Sequence, residues 1–166
     1  DPSLNVRLPE APRQPSRAIL DTELRTPPTA RTLRLPGSVL IFTAVADPAV
    51  QAPLRAAGAE IVVTPRAERS LDPRAILEEL ARRECNEVHA ECGSTLAGSL
   101  LQAGLMDELV VYLAPMLLGN RARGLFQLPE LTQMRERLEL EILETRAVGR
   151  DWRLTLRPRQ PCQPPS

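Results

Sequence analysis

Two short apolar runs, SVLIFT (38–43) and EIVV (60–63), enclose PAVQAPLRAAG (48–58), a stretch of helical character that Gly58 closes. This alternation constrains the fold more than any other feature of the 166-residue chain. Runs so short and so apolar, bounded by proline or glycine, suit buried strands. Pro53 limits the intervening helix, and a glycine is the usual residue just past a helix end. The pattern continues on both sides. RAILD (17–21) reads as a strand. Asp72-Pro73 supplies an N-cap and a first-turn proline, after which Ile76, Leu77, Leu80 and Ala81 fall on one helical face. The stretch after Asn86 reads as a further strand. Thr95–Ala103 reads as a helix stopped by Gly104, with Leu96/Leu100 and Ala97/Leu101 stacked at i, i+4. ELVVYLAP (108–115) is apolar almost throughout, as expected of a strand covered on both faces. LELEIL (138–143) and WRLTL (152–156) alternate instead, and a turn near Gly149-Arg150-Asp151 joins them as a half-exposed antiparallel hairpin. The chain therefore reads as α/β: a mixed sheet flanked by helices and ending in an antiparallel hairpin.

The 17 prolines concentrate at 9–15, 27–36 and 158–165, where they punctuate this pattern. The closing PRQPCQPPS lacks periodicity, so 159–166 reads as a disordered proline-rich tail behind one domain over 1–158. A chain of this length supports one sizeable core. No apolar run approaches the roughly 20 residues of a membrane span, and the opening DPSLNVRLPEAPRQPSR has no apolar signal-peptide stretch, so a cytoplasmic location is expected.

Charge narrows the chemistry. The 21 acidic residues balance 21 basic ones, all arginine. The absence of lysine excludes a lysine Schiff base, a lysine general base and a P-loop lysine. Balanced charge and 2% aromatics disfavour nucleic-acid binding, which needs a basic groove and stacking rings. Cys85, Cys92 and Cys162 form no C-x-x-C pair, and with the single His89 their spacing makes no zinc site, so no metal is expected.

The chemistry gathers at ECGSTLAGS (91–99). A helix opening after a glycine turn leaves backbone N–H groups unpaired at its positive dipole end, a natural seat for phosphate. Gly98 inside the first turns costs about 1 kcal/mol against alanine, which a close approach by a ligand or a neighbouring strand would justify. G-x-x-x-x-G without lysine is not a nucleotide-hydrolysing P-loop, and G-x-G-x-x-G is absent. A phosphate-binding turn and a bare structural turn are equally compatible with these residues. Glu91 would sit at the C-terminal end of a strand, where ligands of α/β sheets bind, with His89 on the same face by period 2. Buried there, an acid would have a raised pKa and could manage a substrate proton. A helix-proximal carboxylate and an ordinary histidine are the plain alternatives.

These residues closely resemble a known family. Glu91–Phe126, ECGSTLAGSLLQAGLMDELVVYLAPMLLGNRARGLF, is similar to the reductase domain of the bacterial bifunctional riboflavin-biosynthesis deaminase/reductase, with its V-E-G-G-x-T-L-A, D-E-L-x-x-Y-x-A-P, L-L-G and A-R-G-L segments. DPSLNVR resembles its D-D-P-x-L-N-V-R motif, PSRAILD its P-x-R-x-V-x-D strand and VGRDWRLTLRP its final hairpin. The resemblance implies a dihydrofolate-reductase-like fold, NADPH as cofactor and 5-amino-6-(5-phosphoribosylamino)uracil as substrate. By the same resemblance Thr22 and Gly93, Ser94, Thr95, Leu96, Ala97, Gly98 and Ser99 contact the cofactor. Leu4, Arg7 and Glu91 contact the substrate, with Glu91 as the catalytic candidate. The implied reaction opens the ribosylamine to an imine, whose C1′ takes a hydride while nitrogen takes a proton. Cys92 and His89 depart from the family pattern. The family's zinc deaminase motifs are missing, as are the first strand and helix of its reductase domain, so the chain reads as N-terminally incomplete, with a deaminase domain expected upstream. The resemblance and the hairpin edge also imply a homodimer. The alternatives are a non-catalytic remnant that binds nucleotide or a partner subunit, and a related pteridine or pyrimidine reductase.

Overall fold

A computed structural model describes residues 2–8, 13–67 and 70–159; the proline-rich tail expected from 159 onward lies, but for Arg159, outside them. The chain forms two compact units, Asp1–Asn86 and Glu87–Ser166.

The first unit is built on a parallel sheet in the order β1-β2-β3: β1 (Arg17–Leu20), β2 (Val39–Thr43) and β3 (Glu60–Val63). Leu20 pairs with Phe42 and Thr43 with Val63, so the three strands end together. A short helix α1 (Arg31–Arg34) precedes β2, and α2 (Pro48–Ala56) links β2 to β3. Asp47 caps α2 by accepting from the Ala49 N–H at 2.9 Å. Pro53 is accommodated within the helix, and Gly58 leaves it at φ +93°, a left-handed backbone that glycine adopts without strain. Two tiny strands, β4 (Arg66–Ala67) and β5 (Ser70–Leu71), lead to α3 (Pro73–Arg82). Asp72 caps α3 through the Arg74 N–H at 2.9 Å, as its sequence predicts.

β2 alternates between two apolar layers. Val39 and Ile41 pack with Leu54, Ala59 and Ile61 on one face; Leu40 and Phe42 pack with Leu71, Ile76 and Leu80 on the other. Ile76 and Leu80 of α3 are buried as expected, whereas Ala81 is exposed. Arg17 is buried at the start of β1 because one guanidinium nitrogen, Nη2, donates to the carbonyls of Leu35, Pro36 and Gly37 at 2.8–2.9 Å. Burial lowers its pKa. At the far end of the sheet, Arg83 joins Glu60 and Glu79, each at 2.7 Å, tying the end of α3 to the start of β3.

In the second unit α4 (Ser94–Gln102) is followed by an antiparallel sheet in the order β6-β8-β7: β6 (Leu109–Leu113), β7 (Leu140–Val148) and β8 (Asp151–Pro158). The β7–β8 hairpin closes through Gly149 at φ +60° and Arg150, a two-residue turn with glycine in its first central position. A bulge at Leu143 shifts the register between Ile142 and Glu144.

Two expectations are corrected. Residues 86–92 carry no strand: an extended segment becomes one only beside an open edge that takes its N–H and C=O groups, and no described strand pairs with it. β6 is not covered on both faces either, since Val110, Tyr112 and Leu113 are exposed. Its apolar composition states a demand for cover that the described residues of its unit do not meet.

Ile41 and Phe42 are completely buried, so Phe42→Ala should destabilise the first unit by about 3–5 kcal/mol, read from the shift in denaturant midpoint at unchanged slope.

Candidate functional site

The C-terminal ends of β1, β2 and β3 carry polar residues in a connected set. The Thr22 carbonyl accepts from the Ala44 N–H at 3.1 Å and from the Thr43 hydroxyl at 3.3 Å, and the Thr64 N–H donates to the Thr43 carbonyl at 2.8 Å. The Thr22 main chain is thus held in line with the sheet, while its hydroxyl makes no hydrogen bond among the described residues. Asp21 shapes the turn that follows. Its carboxylate accepts from both the N–H and the hydroxyl of Thr26 at 2.6 Å. Burial pushes its pKa up, but these donors, with the neighbouring amides, bring it below the usual carboxylate value.

Leu4 and Arg7 lie on an N-terminal segment of the same unit with a distorted backbone. Leu4 sits at φ +48°, a left-handed conformation that costs a leucine about 1–2 kcal/mol. Val6 is clamped by the Gln14 side chain, which accepts from its N–H at 3.1 Å and donates to its carbonyl at 3.0 Å. The buried Asn5 carboxamide oxygen has no hydrogen-bond partner among the described residues. Arg7 is exposed and has no ion-pair partner among the described residues. No hydrogen bond joins Leu4 or Arg7 to Thr22 among the described residues. Asn5 was not singled out by its sequence, although its place between Leu4 and Arg7 in DPSLNVR was the available signal.

In the second unit, Glu91 and His89 do lie near one another: His89 Nε2 is 3.9 Å from Glu91 Oε1, beyond hydrogen-bonding distance. The Glu91 side chain is 65% exposed, so the burial anticipated for it is not found. Cys92 is exposed as a residue, yet partial burial of its sulfur pushes its thiol pKa up.

α4 starts on Gly93, whose backbone is extended and which leaves the helix without a side-chain cap. The first intrahelical bond runs from the Ala97 N–H to the Gly93 carbonyl at 3.0 Å. The amides of Ser94, Thr95 and Leu96 therefore lead the helix without intrahelical acceptors, and the space a Cβ at Gly93 would enter is open. The three hydroxyls nearby are not equivalent. Ser99 donates back to the Thr95 carbonyl at 3.0 Å, Thr95 donates to the Gln127 amide oxygen at 2.9 Å, and the Ser94 hydroxyl makes no hydrogen bond among the described residues. Leu96 and Ala97 are half-buried, and of the two only Leu96 has an amide without an intrahelical acceptor, since the Ala97 N–H is spent on Gly93. An uncapped helix start with an open glycine and a free serine fits an anionic group such as the phosphates of a dinucleotide.

Gly98 has a separate explanation. It is buried, and a Cβ there would overlap the carbonyl oxygen of Gln127, whose N–H donates to the Ser94 carbonyl at 2.9 Å. The close approach expected at this glycine is made by a neighbouring main chain. Gln127, 29 residues away in sequence, was not anticipated; only the cost of a glycine at Gly98 pointed towards such a neighbour.

With this geometry in hand, comparison with known proteins gives a consistent picture. The family model described as RibD C-terminal domain matches residues 1–154. The riboflavin biosynthesis protein RibD of Haemophilus influenzae is 36% identical over 171 aligned positions, which cover 96% of this chain and 44% of that protein. The 5-amino-6-(5-phosphoribosylamino)uracil reductase of Buchnera aphidicola is 27% identical, over 96% of this chain and 81% of its own length. The solved structure of Acinetobacter baumannii RibD, 30% identical, superposes with a TM-score of 0.78 over 95% of this chain and 43% of that one. The chain thus spans less than half the length of the RibD relatives it matches.

Two outcomes follow from this geometry. Gly98→Ala should displace Gln127 from α4, and faster amide exchange over Ser94–Gln102 at unchanged exchange in β2 would record it. Because the folded-state pKa of Asp21 is depressed, the stability it contributes is present above the unfolded value near 4 and is lost as pH falls through the folded value. Asp21→Asn should therefore be less stable than wild type at pH 7, and the gap should close on acidification below roughly pH 4.

Proposed function

The chain belongs to the RibD C-terminal domain family, and we propose that it reduces 5-amino-6-(5-phosphoribosylamino)uracil to its ribityl product in riboflavin biosynthesis, with NADPH as cofactor. The observation that carries this reading is the uncapped start of α4 on Gly93, two residues after the acid at Glu91. The relatives named as riboflavin-biosynthesis proteins and as the uracil reductase support the substrate class. NADPH, when bound, supplies the hydride that reduces C1′ of the opened sugar.

The chain's own residues have the remaining work. The leading amides of α4 and the free Ser94 hydroxyl hold the dinucleotide phosphates, and the free Thr22 hydroxyl makes a second cofactor contact. Arg7, exposed and unpaired among the described residues, offers a planar fork suited to the ribose phosphate. Leu4, in its left-handed conformation, presents the segment that carries Arg7. Glu91 orients the substrate and manages the proton taken by nitrogen, directly or through one water. A zinc deaminase domain in the full gene product and a homodimeric assembly complete the proposal.

The direct test is to follow NADPH oxidation by the chain with the substrate supplied, and to repeat it with the dephosphorylated analogue. Loss of turnover with the analogue supports the Arg7 assignment, and turnover of a pteridine in its place would favour the related reductase. A second reading, nucleotide binding without turnover, draws on one observation: Glu91 is exposed on a segment that pairs with no described strand. NADPH binding with no oxidation in the presence of substrate would favour it. Glu91→Gln should lower turnover about 10²-fold or more while changing NADPH affinity little. Equal turnover in the two proteins would remove Glu91 from the chemistry.

A further inference from the structure

Gln127 meets the start of α4 with three groups. Its N–H donates to the Ser94 carbonyl at 2.9 Å, its carbonyl lies where a side chain at Gly98 would be, and its side-chain amide accepts from the Thr95 hydroxyl at 2.9 Å. The first two contacts fix the Gln127 main chain against the helix. The third engages the single proton of Thr95, the second residue of α4 and a solvent-exposed one.

A threonine hydroxyl donates one hydrogen bond and accepts two. While its proton points at Gln127, Thr95 turns lone pairs towards whatever approaches the helix start, and lone pairs oppose an anionic oxygen. Rotating the terminal amide by half a turn places Nε2–H against Thr95 Oγ1. The hydroxyl then accepts from Gln127 and its proton is released outward. The oxygen and nitrogen ends of an amide are nearly the same size, so the 2.9 Å separation accommodates either orientation. The main-chain anchors keep Gln127 in place through the rotation.

We propose that Gln127 is a positioning residue for the nucleotide: its side-chain amide sets the direction of the Thr95 proton, and phosphate binding requires the orientation in which Gln127 donates to Thr95 and Thr95 donates to phosphate. This rests on the reading that the start of α4 takes the dinucleotide phosphates. It assigns a residue far along the chain to that site, acting through Thr95 and not by touching the ligand.

The test is a set of NADPH titrations, followed by cofactor fluorescence, on the full chain carrying Gln127→Glu, Gln127→Leu, Thr95→Val, or Gln127→Glu with Thr95→Val. At neutral pH a glutamate only accepts, so it holds the Thr95 proton permanently, and Gln127→Glu should weaken NADPH binding about tenfold. Leucine leaves the hydroxyl free to turn, and Gln127→Leu should bind clearly more tightly than Gln127→Glu. Thr95→Val should weaken binding severalfold, and adding Gln127→Glu to it should weaken binding by no more than about threefold further, because there is no proton left to capture. Circular dichroism melts check that each variant folds. If the two losses simply multiply in the double variant, or if Gln127→Leu matches Gln127→Glu, Gln127 does not act through Thr95 and the proposal is overturned while the α4 site stands. If Thr95→Val binds NADPH as tightly as wild type, the phosphates lie elsewhere and both fail.

Discussion

Ile41 and Phe42 are neighbours in sequence, point to opposite faces of one strand, and both lose all contact with solvent. Much of the first unit follows from that pair. A strand buried on both sides needs an apolar layer on each, and α2 with β3 supplies one while α3 with Leu71 supplies the other. Central placement leaves β1 and β3 as its flanking partners, and parallel pairing brings all three C-terminal ends to one edge. The polar residues at that edge are held by the ladder itself: the Thr22 carbonyl accepts from Thr43 and Ala44, and the Thr43 carbonyl accepts from Thr64. The local geometry around Thr22 is therefore inherited from the core.

In the second unit the corresponding control is exercised by a main chain lying against a glycine. Gly98 removes the side chain that would keep Gln127 away, and the contact ties the first turns of α4 to a loop far along the chain. An uncapped helix start is costly unless something else orders it. Here the loop provides that order without occupying the leading amides, which stay free for an anion. The distribution of hydroxyl protons adds selectivity among residues of similar chemistry: Ser94 is available, Ser99 is tied to its own helix, and Thr95 depends on a partner.

What the sequence revealed was local. Asp72-Pro73 and Gly58 marked helix boundaries because capping and left-handed exits depend on adjacent residues, and the alternation in WRLTL marked a hairpin strand because a pleat needs no distant partner. Arg17 shows the opposite case. Nothing in RAIL announces a buried cation; its burial depends on three carbonyls from 35–37 that only the folded chain assembles. The missing ladder at 86–92 and the exposed side chains of β6 have the same origin, since composition records that a segment can pair or be covered and not whether a neighbour is there to do it. At the candidate site, the helix start was legible from its glycine and hydroxyls. The direction of each hydroxyl proton was not, because it depends on partners such as Gln127.

The bulge at Leu143 sets the polarity of the terminal hairpin. Before it, Leu140 and Ile142 share a side with Leu156; after it, Thr145 and Ala147 share that side with Leu154 and Trp152, and Glu144 reaches Arg153 on the reverse at 2.7 Å. One supernumerary residue thus changes odd to even along β7. Were Leu143 drawn into a regular ladder opposite Thr155 instead, Glu144 and Arg146 would be carried onto the indole side and the Glu144–Arg153 pairing would be separated by the thickness of the sheet, so the bulge keeps the oily and ionic surfaces of this ribbon apart.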